Sequence, residues 1–186
     1  GLTLKPTYMP WTQWMQFTRE QWDAKSPWSD RRVRLAANLA VDRKAINEAE
    51  FLGLSRLTGS IVPHTFDFYW PAPLYPYDPG KARQLLAEAG YPNGFDGGVI
   101  SSDMVYASLA ETIATYLGGV GIRLKVAPQE RAAILKANQE KKLTGLNVGG
   151  SAAFGNAATR LEAYVGGGGL YVYGSHPDID RHFREQ

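Results

Sequence analysis

Apolar residues between Ser29 and Phe51 recur at helical spacing. Val33, Ala36, Ala37 and Ala40 form one small apolar face behind Ser29 and Asp30, so the pattern predicts a helix capped by one of those two side chains. Small residues on that face permit close packing. Asp42 is placed to cap a continuation through Ile46 to Phe51, and Gly53 to end it with positive φ. A second helical signal starts at Asp78 and Pro79, an N-cap followed by a preset first helical residue. Ala82, Leu85, Leu86 and Ala89 then keep the spacing until Gly90.

Other stretches have a different period. Residues 2–18 carry Pro6 and Pro10 and then WTQWMQFT, whose aromatic and β-favouring residues predict extended structure approaching a strand. Residues 59–79 hold Pro63, Pro71, Pro73, Pro76 and Pro79 among aromatic side chains, which opposes a helix and predicts an ordered, packed loop. After Gly94 the pattern alternates. Val99-Ile100 reads as a short strand, residues 104–117 as a helix using Leu109, Ile113 and Tyr116, and residues 122–126 as a strand. A helix over about residues 129–141 and a third strand over residues 143–148 follow, and Asp178 opens a last helix. Strands alternating with helices of this length predict an α/β class, a mostly parallel sheet flanked by helices with right-handed crossovers. The expected organisation is one unit over residues 1–186, an extended leading segment at 1–28 and an α/β lobe at 29–186.

Composition narrows the chemistry. In 186 residues, 44% are apolar and the formal net charge is +2, so a globular core is expected and no polybasic surface for nucleic acid is. The absence of cysteine removes a disulfide framework, a thiol nucleophile and any zinc site built on Cys. No stretch approaches the roughly 20 apolar residues needed to cross a bilayer, so no membrane insertion is expected of this segment. The abrupt opening GLTLKP and the stop at FREQ suggest a piece of something longer.

His64, His176 and His182 lack metal-ligand spacing, so no metal or other cofactor is expected. GGVG at residues 118–121 lies between a helix and a strand, the reverse of a dinucleotide fingerprint, and the glycines at 166–169 lack the Lys and Ser/Thr of a phosphate-binding loop. Ser151 is not in a G-x-S-x-G context. Catalysis is not expected, and a hydrolase built on a carboxylate pair is the weaker alternative. The five tryptophans and the aromatics around Tyr69-Trp70 fit a carbohydrate- or protein-binding face as well as core packing.

Four ordered segments carry a family resemblance. SDRRVRLAANLAVDRKAI (residues 29–46), YDPGKARQLLAEAGYPNGF (77–95), LGGVGIRLKV (117–126) and HPDID (176–180) together resemble the solute-binding protein family 5, which includes oligopeptide, dipeptide and nickel binders. The second segment matches its signature almost residue for residue. The resemblance implies one lobe, the second, of a two-lobed type II periplasmic-binding-protein fold. It further implies a noncatalytic substrate-binding component of an ABC importer, periplasmic or extracellular, lipid-anchored or free. Its implied partners are a small-molecule solute such as a peptide, held in an interlobe cleft, and an ABC permease. A solute-sensing or regulatory module on the same scaffold is the alternative. The signatures themselves read best as fold-holding residues.

Ligands of open α/β sheets sit outside the carboxyl ends of the strands, which directs attention to LTGLNVGGSAAFGNAATRL (143–161). Relative to the family's pattern of an early Asp, Gly-Trp, an acidic residue and a Pro, this chain has Thr144, Gly149-Gly150, Ala153 and Ala157. The missing Trp and acidic residue argue against direct transfer of peptide-amine recognition. The candidate ligand-binding residues are Asn147, Gly149, Gly150, Ser151, Phe154 and Asn156, the last of which also reads as an N-cap.

Overall fold

Aspartates set the helix starts. In the computed structural model, which describes residues 5, 9–152 and 155–185, the Asp30 carboxylate accepts the Arg32 backbone N–H at 2.7 Å and opens α1 (Arg31–Ala40). Asp42 accepts from the backbone of Lys44 and Ala45, both at 3.0 Å, to open α2 (Arg43–Phe51). Asp78 accepts from Lys81 at 2.8 Å to open α3 (Pro79–Glu88). Each cap satisfies N–H groups that the first helical turn leaves without partners. Gly90 follows α3 at φ 95°, whereas the left-handed turn after α2 begins at Leu52, φ 54°, one residue before Gly53.

The sheet has four strands in the order β1 (Trp11–Phe17), β4 (Leu146–Ala152), β2 (Phe95–Asp103), β3 (Ile122–Gln129). β2 runs parallel to both β3 and β4, as expected, with α4 (Ala107–Gly118) and α5 (Arg131–Gln139) as the connections. β1 adds an antiparallel edge, its register pairing Trp14 with Gly149 and Gln16 with Asn147. The 143–148 expectation is shifted. Gly145 at φ 69° turns the chain against Val99, so the ladder starts at Leu146, while Leu143 buries its side chain without joining it. At the far end, β1 supplies backbone partners and the strand continues through Gly149 and Gly150 to Ala152. The alternation signal fades at glycines, but the ladder does not need side chains.

The core lies between the sheet and the helices. Ala36, Ala37 and Ala82 are completely buried where α1 meets α3, the close approach that small residues permit. Trp28, 2% exposed, packs edge-on to Phe95 and donates from Nε1 to Gly97 O at 3.0 Å. The loop over residues 59–78 departs from its expectation. Val62 is buried, but Phe68 is 93% exposed and Trp70 66%, with Leu74, Tyr75 and Tyr77 also exposed. The prolines and local turns order the chain, and the left-handed φ of 63° at Phe68 belongs to those turns. They do not fold its aromatic side chains inward. The segment closes with α6 (Ala157–Tyr164) and α7 (Pro177–Arg184). α7 starts at Pro177 with His176 as its cap residue, one position before Asp178. No helix among the described residues is long and apolar enough to cross a membrane.

Candidate functional site

Asn147 is the second residue of β4, 2% exposed, where alternation turns its side chain to the same face as Gly149. Across the ladder, Gln16 Oε1 accepts from Asn147 Nδ2 at 3.3 Å, and Trp14 stands over Gly149, where a Cβ would lie 3.2 Å from the indole. At the carboxyl end of β2, Asp103 caps the next turn through Val105 N and accepts from Arg131 Nη1 at 3.4 Å. Asp103 is nearly buried and Arg131 mostly exposed, so the pair marks a rim rather than an interior. Tyr106 follows on that turn, and its burial raises the phenol pKa and keeps it neutral.

These groups enclose a cleft of about 30 Å³ lined by Trp14, Asp103, Tyr106, Arg131, Asn147 and Gly149 among others. Trp14 Nε1, Tyr106 Oη and Asn147 Oδ1 are all buried there without a hydrogen-bond partner. Two are donors and one is an acceptor. Leaving such groups unpaired costs about 1–3 kcal/mol each, so they require water or a ligand. Trp14 continues into an aromatic wall: Tyr164 and Tyr171 stack at 4.5 Å and 9°, and Trp14 meets both edge-on at 5.0 and 5.5 Å. Gln16 Nε2 ties Tyr171 O to the strand.

The sequence-derived candidates divide. Asn147, Gly149 and Gly150 line the cleft. Asn147 lies within the expected strand, and Gly149 and Gly150 are strand rather than loop residues because the strand runs on past Val148. Ser151 donates to Ala152 O at 2.9 Å, and its own carbonyl accepts from Arg160. Asn156 spends its side chain on a reciprocal cap with Thr159. Phe154 lies outside the described residues. Trp14, Tyr106, Asp103 and Arg131 were not foreseen. The rule that favours carboxyl ends of strands reaches Asp103 and Tyr106 once β2 is given its full length, whereas Trp14 enters only through pairing with a strand remote in sequence.

A larger cavity of about 600 Å³ lies between β1, α2 and the 54–75 loop. Arg43 there donates to Asn38 Oδ1 and O at 3.0 and 2.9 Å, so the polar groups named are already partnered, and Ile46, Phe51, Leu109 and Ile113 make much of the wall. The smaller cleft is the better site by chemistry. Among the described residues no group of three or more His, Asp or Glu could hold a metal ion. His176 packs on Trp22 and His182 pairs with Glu185, far from each other in role.

Similar proteins agree with this architecture. Heme-binding protein A of Haemophilus influenzae is 36% identical over 149 residues, covering 76% of this chain and 27% of that protein. The glutathione-binding protein GsiB of Escherichia coli K12 is 34% identical over 142 residues, covering 72% and 27%. The solved structure of the Helicobacter pylori periplasmic binding protein DppA, in complex with peptide STSA, superposes with a TM-score of 0.79 at 21% identity over 94% of this chain and 35% of that one. The chain thus spans about a quarter of the length of its curated relatives, and its fold matches a single lobe of the solved periplasmic binding protein. A family profile described as bacterial extracellular solute-binding proteins, family 5, middle, covers residues 3–171. With four-stranded topology and family profile in accord, the chain belongs to the bacterial extracellular solute-binding proteins of family 5.

Proposed function

We propose that this chain forms most of the second lobe of a periplasmic or extracellular solute-binding protein and presents one wall of an interlobe cleft to a small solute for an ABC importer. The observation that carries the reading is the gathering of three buried, unpartnered polar atoms, from β1, from β4 and from the turn after β2, beside the carboxyl end of β2. This is the place where open α/β sheets hold ligands. Trp14, Tyr106, Asn147 and Gly149 form the floor, Gly150 and Ser151 continue it along β4, and Phe154 is assigned to its margin on sequence grounds. Asn156 contributes through the start of α6 rather than through its side chain.

The relatives' names direct the choice of solute. GsiB is named for glutathione and DppA was solved with a tetrapeptide, so short peptides and peptide-like acids are the class to try first. The permease of an ABC importer would be met by the full-length protein. Mass spectrometry of solutes copurifying with the full-length protein tests the assignment, followed by calorimetry with the solute found. Recovery of one stoichiometric small solute is the expected result. A protein that carries none, and gives no heat with glutathione or STSA, contradicts the reading.

A further inference from the structure

Lys141 stands where a helix commonly ends on glycine. α5 closes through paired backbone bonds, Lys141 N to Asn138 O at 3.2 Å and Lys142 N to Ala137 O at 2.8 Å, with Lys141 held between them at φ 54°. Glycine takes that left-handed conformation freely, whereas a lysine there is strained. Its side chain makes contacts that no glycine could. Nζ donates to Gly169 O at 2.7 Å and to Leu170 O at 2.6 Å, and lies 5.4 Å from the centre of the Tyr173 ring.

The carbonyls that Lys141 holds lead directly into the cleft. Leu170 precedes Tyr171, a half-buried residue that lines the cleft together with Trp14 and Tyr106. The Tyr171 ring stacks on Tyr164 and meets Trp14 edge-on. Beyond it, Tyr173 donates to Oδ1 of Asn138 at 3.3 Å, and Asn138 is fully buried on the last turn of α5 and also lines the cleft. The end of α5 therefore grips the chain on both sides of Tyr171. The approach to Tyr171 has no side chains to lock it, since residues 166–169 are all glycine. Gly167 N donates to Asp180 Oδ1, Tyr171 N to Ala163 O, and Gln16 Nε2 to Tyr171 O. These fix single points of the path, whereas Lys141 grips two consecutive carbonyls and so orients the peptides that lead into Tyr171.

We propose that Lys141 is a positioning residue of the solute site, and that Tyr171, which it places, is a specificity-determining wall of the cleft. This rests on the solute-binding reading above and adds to it the residue that shapes one side of the site. A ring held against Tyr164 offers the solute a fixed surface. Released on a glycine-rich segment, it would have to be ordered by the solute itself, and preorganisation spares binding that entropy.

Fluorotyrosine labelling of the full-length protein gives a fluorine resonance for Tyr171, assigned by its loss in Tyr171→Phe. Lys141→Gly relieves the left-handed strain, so the unliganded variant should unfold no more easily than wild type, yet its Tyr171 resonance should move and broaden. Calorimetry with glutathione and with the peptide STSA should show binding weakened about tenfold for whichever of them wild type takes up. Lys141→Arg should restore the resonance and most of the affinity. Lys142→Met removes the adjacent charge, which pairs with Glu140, and should change neither. A Tyr171 resonance that stays in place in Lys141→Gly overturns the proposal, and so does a displaced resonance with unchanged affinity. Should Lys141→Gly fail to fold, Lys141→Met gives the same two readings. No heat from either probe with wild type would count against the solute-binding reading itself. The resonance then still decides the clamp: displaced, it supports Lys141 as the group that places Tyr171, and unmoved, it refutes that role.

Discussion

Gly150 lies directly beneath Tyr106: a Cβ built at Gly150 would fall 2.5 Å from Tyr106 Oη, and 2.6 Å from Trp11 Nε1. The family's common Trp at this position is therefore excluded by neighbours, not merely replaced. Gly150→Ala should lower stability by about 1–3 kcal/mol, the usual range for overpacking. It should also alter Tyr106, whose ring is 7% exposed and cannot retreat freely. Chemical denaturation of the variant measures the first effect, and partial relief by the second change Tyr106→Phe, which removes the hydroxyl but leaves Trp11 Nε1 at 2.6 Å, measures the hydroxyl's share of it. A fully stable Gly150→Ala would show that the ring and the indole move apart without penalty.

Gly145 controls where β4 begins. Its φ is 69°, and a Cβ would lie 2.2 Å from Val99 O, so both backbone conformation and space demand glycine. Thr18 Oγ1 donates to Gly145 O at 2.9 Å and stitches β1 to the same turn. Gly145→Ala should destabilise by more than the roughly 1 kcal/mol of left-handed strain alone, because Val99 belongs to the central strand. Hydrogen exchange should show faster opening of Leu146 and Asn147 amides than of those in α1.

How far these features could be read from the sequence follows from how local their causes are. Asp30, Asp42, Asp78 and Asn156 act within three residues of themselves, and each stands at the helix start that its position predicts. Strand ends depend on partners. Nothing near Gly149 in sequence announces that Trp11–Phe17 will pair with it, so the strand was expected to stop at Val148. Phe68 and Trp70 show the reverse failure, since apolar composition alone does not say which way a proline-braced loop turns its rings.

Asp30 gives a pH-dependent prediction. The Arg32 side chain bonded to Asp30, followed in effect by the capped Arg32 N–H, holds the carboxyl below its ordinary 3.8. A depressed folded pKa contributes stability that is present above the unfolded value and is lost as pH falls through the folded one. The loss therefore belongs below about pH 3.8. Arg32 is half exposed, so the ion pair adds little and the cap most of the effect. Asp30→Ala should cost about 1 kcal/mol at neutral pH. Asp30→Asn should retain most of that while flattening the acid limb of the unfolding curve. An unchanged acid limb in Asp30→Asn would assign the acid sensitivity to other carboxylates.

Asn147 separates binding from folding. Its Oδ1 is buried and unpartnered, and its Nδ2 makes a single side-chain bond of 3.3 Å to Gln16. Truncation to alanine removes one weak bond but also one unsatisfied acceptor, and these oppose each other in the unliganded protein. Unliganded Asn147→Ala should thus unfold within about 1 kcal/mol of wild type. In the complex the same acceptor is expected to bond the solute, and losing a bond of about 1.4 kcal/mol weakens binding tenfold. Ser151→Ala should weaken the solute less, because its hydroxyl already donates to Ala152 O at 2.9 Å. Calorimetry with the copurifying solute, paired with denaturation of each unliganded variant, distinguishes the cases. If Asn147→Ala lost stability without affinity, its amide would be a strand-pairing residue. The floor of the cleft would then rest on Trp14 and Tyr106, whose donors would need an acceptor from the solute alone.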